Sequence, residues 1–332
     1  MYFVKTEDVK SGETLAVSVK DSYDKTLVTA GQMLTGKMID RLKRLGVNGI
    51  WITNAETDDF IFESIIKQEL KEEAVRDLKK LNIDKTLENA KSIVKQITQN
   101  LDKDYINSKS FDNYTYEHSV GVAVYSTLIG IELGLSEKQL ENLAEGALLH
   151  DLGKSAISND IIHKPDLLTN EEYEEVKKHP VIGYNMLKDN YDVPSPVKSI
   201  IYQHHENEDG TGYPMSVKKD KIYKLAKIVH IADVYDALIS KRPYKEAFGP
   251  EEAIKYLKDN SGSMFNKKFV DIFISTVPAY PKGILVKLDN GEVGVVIANR
   301  KGNVLRPVIQ VITTGKVVDL AENKEYKLVK II

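Results

Sequence analysis

Short apolar runs split by turn residues open the chain: TLAVSV, TLVTA and GIWI between Glu13 and Ile52, punctuated by Ser-Gly, Asp/Ser/Asp and Gly. Runs of this length and spacing predict strands. One stretch among them, LTGKMIDRLKRLG, has a helical period and closes on Gly46. Residues 1–58 are therefore expected to form a small α+β module. After Asn54 the period lengthens, with Phe62, Ile66, Leu70, Ala74 and Leu78 four apart, then Leu87, Ala90, Val94, Ile97 and Leu101 three or four apart. Residues 59–105 read as a helical connector. Its second stripe is a heptad-like seam too short for a sustained coiled coil. It predicts packing onto a neighbouring domain, with a homodimer through these helices as the alternative.

From about residue 106 to 275 the pattern is almost wholly helical. LSEKQLENLAEGALLH starts on a Ser/Glu capping signal, TNEEYEEVKKH carries acids in its first turn, and KLAKIVHIADVYDALIS is apolar-periodic. Beyond Pro278 the period shortens again to ILVKL, EVGVVIA, VLRPVIQVI and KVVDL, with Asp-Asn-Gly and Thr-Gly as hairpin turns. Residues 276–332 are expected to form a small antiparallel β-unit. The fold class is thus multidomain, a central all-α bundle between two small β-containing modules.

Composition narrows the chemistry. With 46 Lys and Arg against 49 Asp and Glu, the net charge of −3 leaves no global positive field for polymeric nucleic acid. Cysteine is absent, which excludes disulfides, thiolate catalysis and Cys-type metal sites, so any metal must use His, Asp or Glu. No apolar run approaches the ~20 residues needed to span a bilayer, and MYFVKTEDVK has no leader pattern, so the expected location is cytoplasmic.

Only seven histidines occur, all in the helical region, and five of them fall at a regular spacing: His118, His150 beside Asp151, His179, and His204 beside His205, followed by Asp233. Successive steps of about 25 to 32 residues match one helix plus its connection, so neighbouring helices can each deliver a ligand to one interior point. His163, in a polar loop before Pro165, is read as a non-ligand, and His230 as a neighbour of Asp233. LLHDLGK sets two ligating side chains at the end of an apolar helix, where burial is costly without a cation. In KKHP, Pro180 biases His179 out of the α region at a helix boundary. His204 and His205 project ~100° apart on a helix and reach one site most easily if it is wide enough for two metals.

His118, HDLGK at 150–154, His179-Pro180, HHENEDGTGYP at 204–214 and IADVYDALISKRPYK at 231–245 together resemble the HD-GYP subclass of HD phosphohydrolases. The resemblance covers roughly residues 106–275 and implies an HD-type bundle that hydrolyses a phosphodiester of cyclic di-GMP. Two metals about 3.5–4 Å apart can share a water, lower its pKa and clamp the attacking and leaving oxygens. The ligand set suits divalent first-row ions, and the resemblance implies iron or manganese.

Within that expectation Asp151 bridges, His118, His150 and Asp233 complete one site, and His179, His204 and His205 the other. Lys154 is expected to touch a phosphate oxygen or assist the leaving alkoxide. Arg242 and Lys245 are expected to bind the second phosphate or a guanine edge; Asp236, grouped with them and one turn on from Asp233, is expected behind the ligands, with a helix-surface carboxylate as the alternative. Gly210, Gly212, Tyr213 and Pro214 shape a loop that, by resemblance, contacts diguanylate cyclase-type partners. Where some members carry a Glu for a third metal, four residues before the first His, this chain has Tyr114, and Glu117 points elsewhere. Two metals are expected, and linear pGpG as main product with GMP slower. The alternatives are a hydrolase of another cyclic dinucleotide such as cyclic GMP-AMP, an inactive cyclic di-GMP-binding module, and an HHE loop that only docks a partner.

Overall fold

The computed structural model describes residues 2–20, 26–47, 49–53, 65–100, 114–164, 166–240 and 248–331. The chain divides into two compact units, one made of residues 1–65, 100–117 and 278–332, the other of 66–99 and 118–277.

In the first unit, β1 (Tyr2–Lys5), β2 (Thr14–Leu15) and β5 (Gly49–Thr53) form an antiparallel sheet in the order β1-β5-β2, and β3 (Val19–Lys20) pairs with β4 (Thr26–Val28). Helix α1 (Gly36–Arg44) is capped by the Thr35 hydroxyl, which accepts from Met38 N–H, and ends before Gly46 at φ +79°. The five C-terminal strands, β6 (Leu285–Leu288), β7 (Val293–Ala298), β8 (Val308–Val311), β9 (Val317–Asp319) and β10 (Leu328–Ile331), lie antiparallel in the order β10-β6-β7-β8-β9. Gly291 and Gly315, both at positive φ, turn β6 into β7 and β8 into β9. The sequence reading treats the two ends of the chain as separate modules. The structure instead joins them: Leu15, Ile39, Leu42, Ile50 and Ile52 share one apolar cluster with Leu285 and Val295. Pooling the two short segments gives a larger core than either would build by itself.

The second unit is helical: α2 (Gln68–Lys79), α3 (Ile83–Asn100), α4 (Tyr114–Glu132), α5 (Glu137–Leu149), α6 (Asn159–Ile162), α7 (Asn170–Val176), α8 (His179–Leu187), α9 (Ser195–Gln203), α10 (Lys224–Ile239), α11 (Pro250–Asp259) and α12 (Lys267–Thr276). Single 3-10 turns, Leu152–Ala156 and Lys219–Lys221, precede α6 and α10. Capping boxes at Ser136 with Gln139 and at Thr169 with Glu172 set the starts of α5 and α7. Helices α4, α5 and α10 bury residues around much of their circumference, which marks them as interior helices. Tyr125, Tyr235 and Phe273 lock α4, α10 and α12 together through edge-to-face contacts, with centroids 4.7–6.2 Å apart. No helix among the described residues is long and apolar enough to cross a membrane.

The connector is not a separate element, because α2 and α3 group with the helical unit. The seam residues Leu87, Ala90, Val94 and Ile97 are already buried within this single chain, and Leu101 lies outside the described residues. The first stripe begins helically only at Gln68; Ile66 sits in a bend before it and Phe62 is not described.

Glu145 on α5 is buried, and its Oε2 has no hydrogen-bond partner among the described residues. Burial pushes its pKa above the ordinary value. A carboxyl with a raised folded-state pKa stabilises at low pH and loses that contribution as pH rises through the raised value. Glu145→Gln is therefore expected to raise Tm at pH 7.5 by roughly 2 °C, with the difference closing near pH 4. An equal shift at both pH values in thermal melts would assign the effect to packing instead.

Candidate metal centre

Five helical segments converge on one buried point. His118 comes from α4, His150 caps the end of α5, Asp151 precedes the 3-10 turn, His179 opens α8, His204 caps α9 beside His205, and Asp233 lies within α10. The ligand atoms fall into two groups, each within 4.8 Å of one another: Asp151, His179, His204 and His205, and His118, His150 and Asp233. Pro180 sits in the first turn of α8, where its missing N–H is not needed. The expected departure of His179 from helical backbone is thus absorbed, and His179 is itself the first residue of the helix.

The imidazoles are aimed by the backbone. His150, His179 and His204 each donate Nδ1–H to the carbonyl three residues back, Ala147, Val176 and Ile201, at 2.7, 2.7 and 2.8 Å. That fixes the tautomer and leaves every Nε2 with a bare lone pair facing inward. The Nε2 atoms of His179 and His204 are only 3.1 Å apart. Two acceptors at that distance repel, and a cation between the rings turns the repulsion into coordination. His150 Nε2 and Asp151 Oδ1 are likewise buried without a hydrogen-bond partner. Asp151 reaches both groups, with Oδ2 3.4 Å from His150 Nε2 and Oδ1 3.4 Å from His179 Nε2. These orphaned atoms, all nitrogen or carboxylate oxygen, fit divalent metal ions.

Charge states agree with ligation. Burial pushes His179 down to about 4, and holds His204 and His205 well below the ordinary histidine value, with neighbouring histidines adding to the effect. Burial acts to raise Asp151 and Asp233, but His150 and Lys154 beside Asp151, and the His118 hydrogen bond with His150 beside Asp233, hold both well below the carboxylate range. Ligation requires neutral rings and ionised carboxylates. His118 differs: burial opposes its charge, yet hydrogen bonds to Asp233 and Asp236 raise it to about 9.

Asp236 is not among substrate-facing groups but takes the place behind a ligand that its spacing from Asp233 predicts. It is buried behind His118, accepting from Nδ1 at 2.9 Å, against α4 where a Cβ on Gly121 would stand 2.7 Å from its Oδ1. It aims His118 Nε2 at Asp233 Oδ1, 3.0 Å away. Lys154 Nζ donates to Asp151 Oδ2 at 2.7 Å. Arg242 and Lys245 lie outside the described residues. His163 joins neither group, and His230 is buried with its ring 6.2 Å from that of His205.

The loop after His205 is drawn into the site. The Tyr213 ring stacks on His205, centroids 4.7 Å apart and planes 25° apart. Burial pushes its phenol pKa upward, so the hydroxyl stays neutral. Gly212 is obligatory, since a Cβ there would lie 2.3 Å from Asn207 N, and Gly210 takes φ +83°. Sequence reasoning missed Glu206, whose buried carboxylate accepts from Met215 N–H at 2.6 Å and Val217 N–H at 3.0 Å and so closes the loop around Pro214. The available signal was an acid adjoining two histidines in HHENEDG. It also missed Glu208, which pairs with Lys227 at 2.7 Å.

The sequence model of the HD domain family matches residues 81–268, more than half of the chain. The chain belongs to the HD domain family. It is 36% identical over 208 residues to a cyclic di-GMP phosphodiesterase of Pseudomonas aeruginosa, covering 63% of this chain and 50% of that protein. Over 150 residues it is 39% identical to a 3'3'-cGAMP-specific phosphodiesterase of Vibrio cholerae, covering 44% of this chain and 32% of that protein. The chain thus spans half or less of the length of these curated relatives. Among solved structures, an HDG"Y"P protein from Bdellovibrio bacteriovorus shares the fold, with a TM-score of 0.55, 21% identity, and coverage of 82% of this chain and 97% of that one.

The approach of Asp151 to His179 depends on a glycine. A Cβ on Gly153 would stand 2.0 Å from the His179 carbonyl oxygen and 2.6 Å from Gly183 N. Gly153→Ala is expected to force the 3-10 turn off α8, open the 3.4 Å gap between Asp151 and His179, and cut bound metal to less than about half of wild type, given how sharply metal affinity depends on ligand placement. Elemental analysis of the purified variant would show this, and full metal content would refute it.

Proposed function

We propose that the helical unit is a metal-dependent phosphodiesterase of cyclic dinucleotides, opening cyclic di-GMP to linear pGpG and, more slowly, releasing GMP. The observation that carries the reading is the pair of facing ligand groups, with Asp151 reaching both and bare Nε2 atoms held 3.1 Å apart. Two divalent ions, iron or manganese, held one by His118, His150 and Asp233 and the other by His179, His204 and His205, with Asp151 serving both, would supply Lewis acidity and a water of lowered pKa. Names of the relatives, cyclic di-GMP phosphodiesterases among them, support the substrate class.

The protein's own groups do the rest. Three backbone carbonyls hold imidazole nitrogens toward the centre, and Asp236 does the same for His118. The surrounding apolar helices exclude bulk water, which strengthens every charge interaction inside. Lys154, with its side chain 27% exposed, stands where the buried centre meets solvent. In this reading it neutralises a non-bridging phosphate oxygen or gives a proton to the departing ribose oxygen. A cyclic GMP-AMP substrate is the second reading, favoured by the Vibrio cholerae relative.

Chromatography of products from anaerobically purified protein, reconstituted with Fe(II) or Mn(II) and given each cyclic dinucleotide, tests this. Metal-dependent pGpG is expected from cyclic di-GMP, and none from Asp151→Ala, which should also lose metal. Unchanged substrate with every metal would refute catalysis. Lys154→Met is expected to keep its metal while kcat falls about 100-fold, the scale of removing one transition-state donor; an unchanged kcat would remove Lys154 from the reaction.

A further inference from the structure

Outward from the ligand His205, aromatic rings and a cation alternate. Tyr213 stacks on His205, and the Lys177 ammonium lies 6.0 Å from the Tyr213 centroid and 5.3 Å from that of Tyr173. Lys177 stands two residues before His179 and is also paired with Glu174, whose side chain is largely exposed. Tyr173 belongs to α7, a helix that buries none of its residues, and is itself 49% exposed. The capping box at Thr169 and the Lys164–Glu172 ion pair hold this short helix in place. A half-exposed ring on such a helix adds little to the core and is open to stacking, and the ammonium over it offers a charge to an anionic group carried next to a stacked ring.

We infer that Tyr173 and Lys177 form a docking platform for a purine nucleotide at the edge of the metal centre, Tyr173 stacking on the base and Lys177 meeting the adjoining phosphate. The inference rests on the proposed phosphodiester chemistry and adds the part of the chain that recognises the base. An aromatic face accepts any base, and the larger purine ring covers more of it. The flexible ammonium of Lys177 can turn from Glu174 to a phosphate while staying over the ring.

The test is calorimetric titration of the Mn(II)-loaded full chain with GMP and, separately, with ribose 5-phosphate, which has the phosphate but no base. Tyr173→Ala is expected to weaken GMP about tenfold, the scale of one lost stack, while ribose 5-phosphate changes less than about twofold. Tyr173→Phe, which keeps the ring, should bind GMP like wild type, and Lys177→Met should weaken both ligands. Equal GMP affinity in wild type and Tyr173→Ala, or no GMP binding by wild type, would overturn the platform. A wild type that binds GMP through Tyr173 yet cleaves no cyclic dinucleotide would sink the proposed reaction and leave the platform standing.

Discussion

Lone pairs of like kind repel, and the helical unit is organised around holding several of them together in a place without water. The inward nitrogens of His150, His179 and His204 are there because the opposite ring nitrogen is committed to a carbonyl three residues back. The geometry repeats because it needs only a helix end, where His150 and His204 cap α5 and α9 and His179 begins α8. The rings cannot turn away without leaving a buried donor unpaired. Such an arrangement is poorly stable by itself and becomes favourable when positive charge enters it, so folding and metal loading are thermodynamically linked.

The same demand explains the close approaches. Gly153 meets the backbone of α8 at His179 and Gly183, and Gly121 leaves room for Asp236 behind His118. Neither glycine sits at positive φ; each is needed for the space its missing side chain leaves. Glu206 works on the other side, tying the loop of Tyr213 back beneath the ring it stacks on. Ligand and loop are thus set by close contacts to backbone and to buried, hydrogen-bonded carboxylates.

Local pattern carried much of this. Helical periodicity with a His or Asp at each helix end was legible because one helix and one connection recur between ligands, and the Asp-Asn-Gly and Thr-Gly turns announced the C-terminal hairpins. What stayed hidden depends on pairs distant along the chain. Nothing near Asp236 signals that it faces His118, more than a hundred positions earlier, and its spacing from Asp233 fits a surface carboxylate equally well. Lys177 and Tyr173 read as ordinary charged and aromatic positions on an acidic helix until Tyr213 is brought beside them. The joining of the chain's two ends was also illegible, since neither half of that core is periodic in a way that reports its partner.

That joined core has a consequence for synthesis. Strands β1, β2 and β5 and helix α1 leave the ribosome first, but Leu285 and Val295, which complete their apolar cluster, follow roughly 230 residues later, a delay of roughly 10–50 s at typical elongation rates. The last residue of the helical unit is made before Leu285, so the helical unit has its whole sequence available while the β unit still lacks part of its core. The order of folding is then dictated by chain topology: the ligand-bearing bundle can form first, while the small sheet waits with its apolar face uncovered, the period in which it is most open to chaperones or to misassembly.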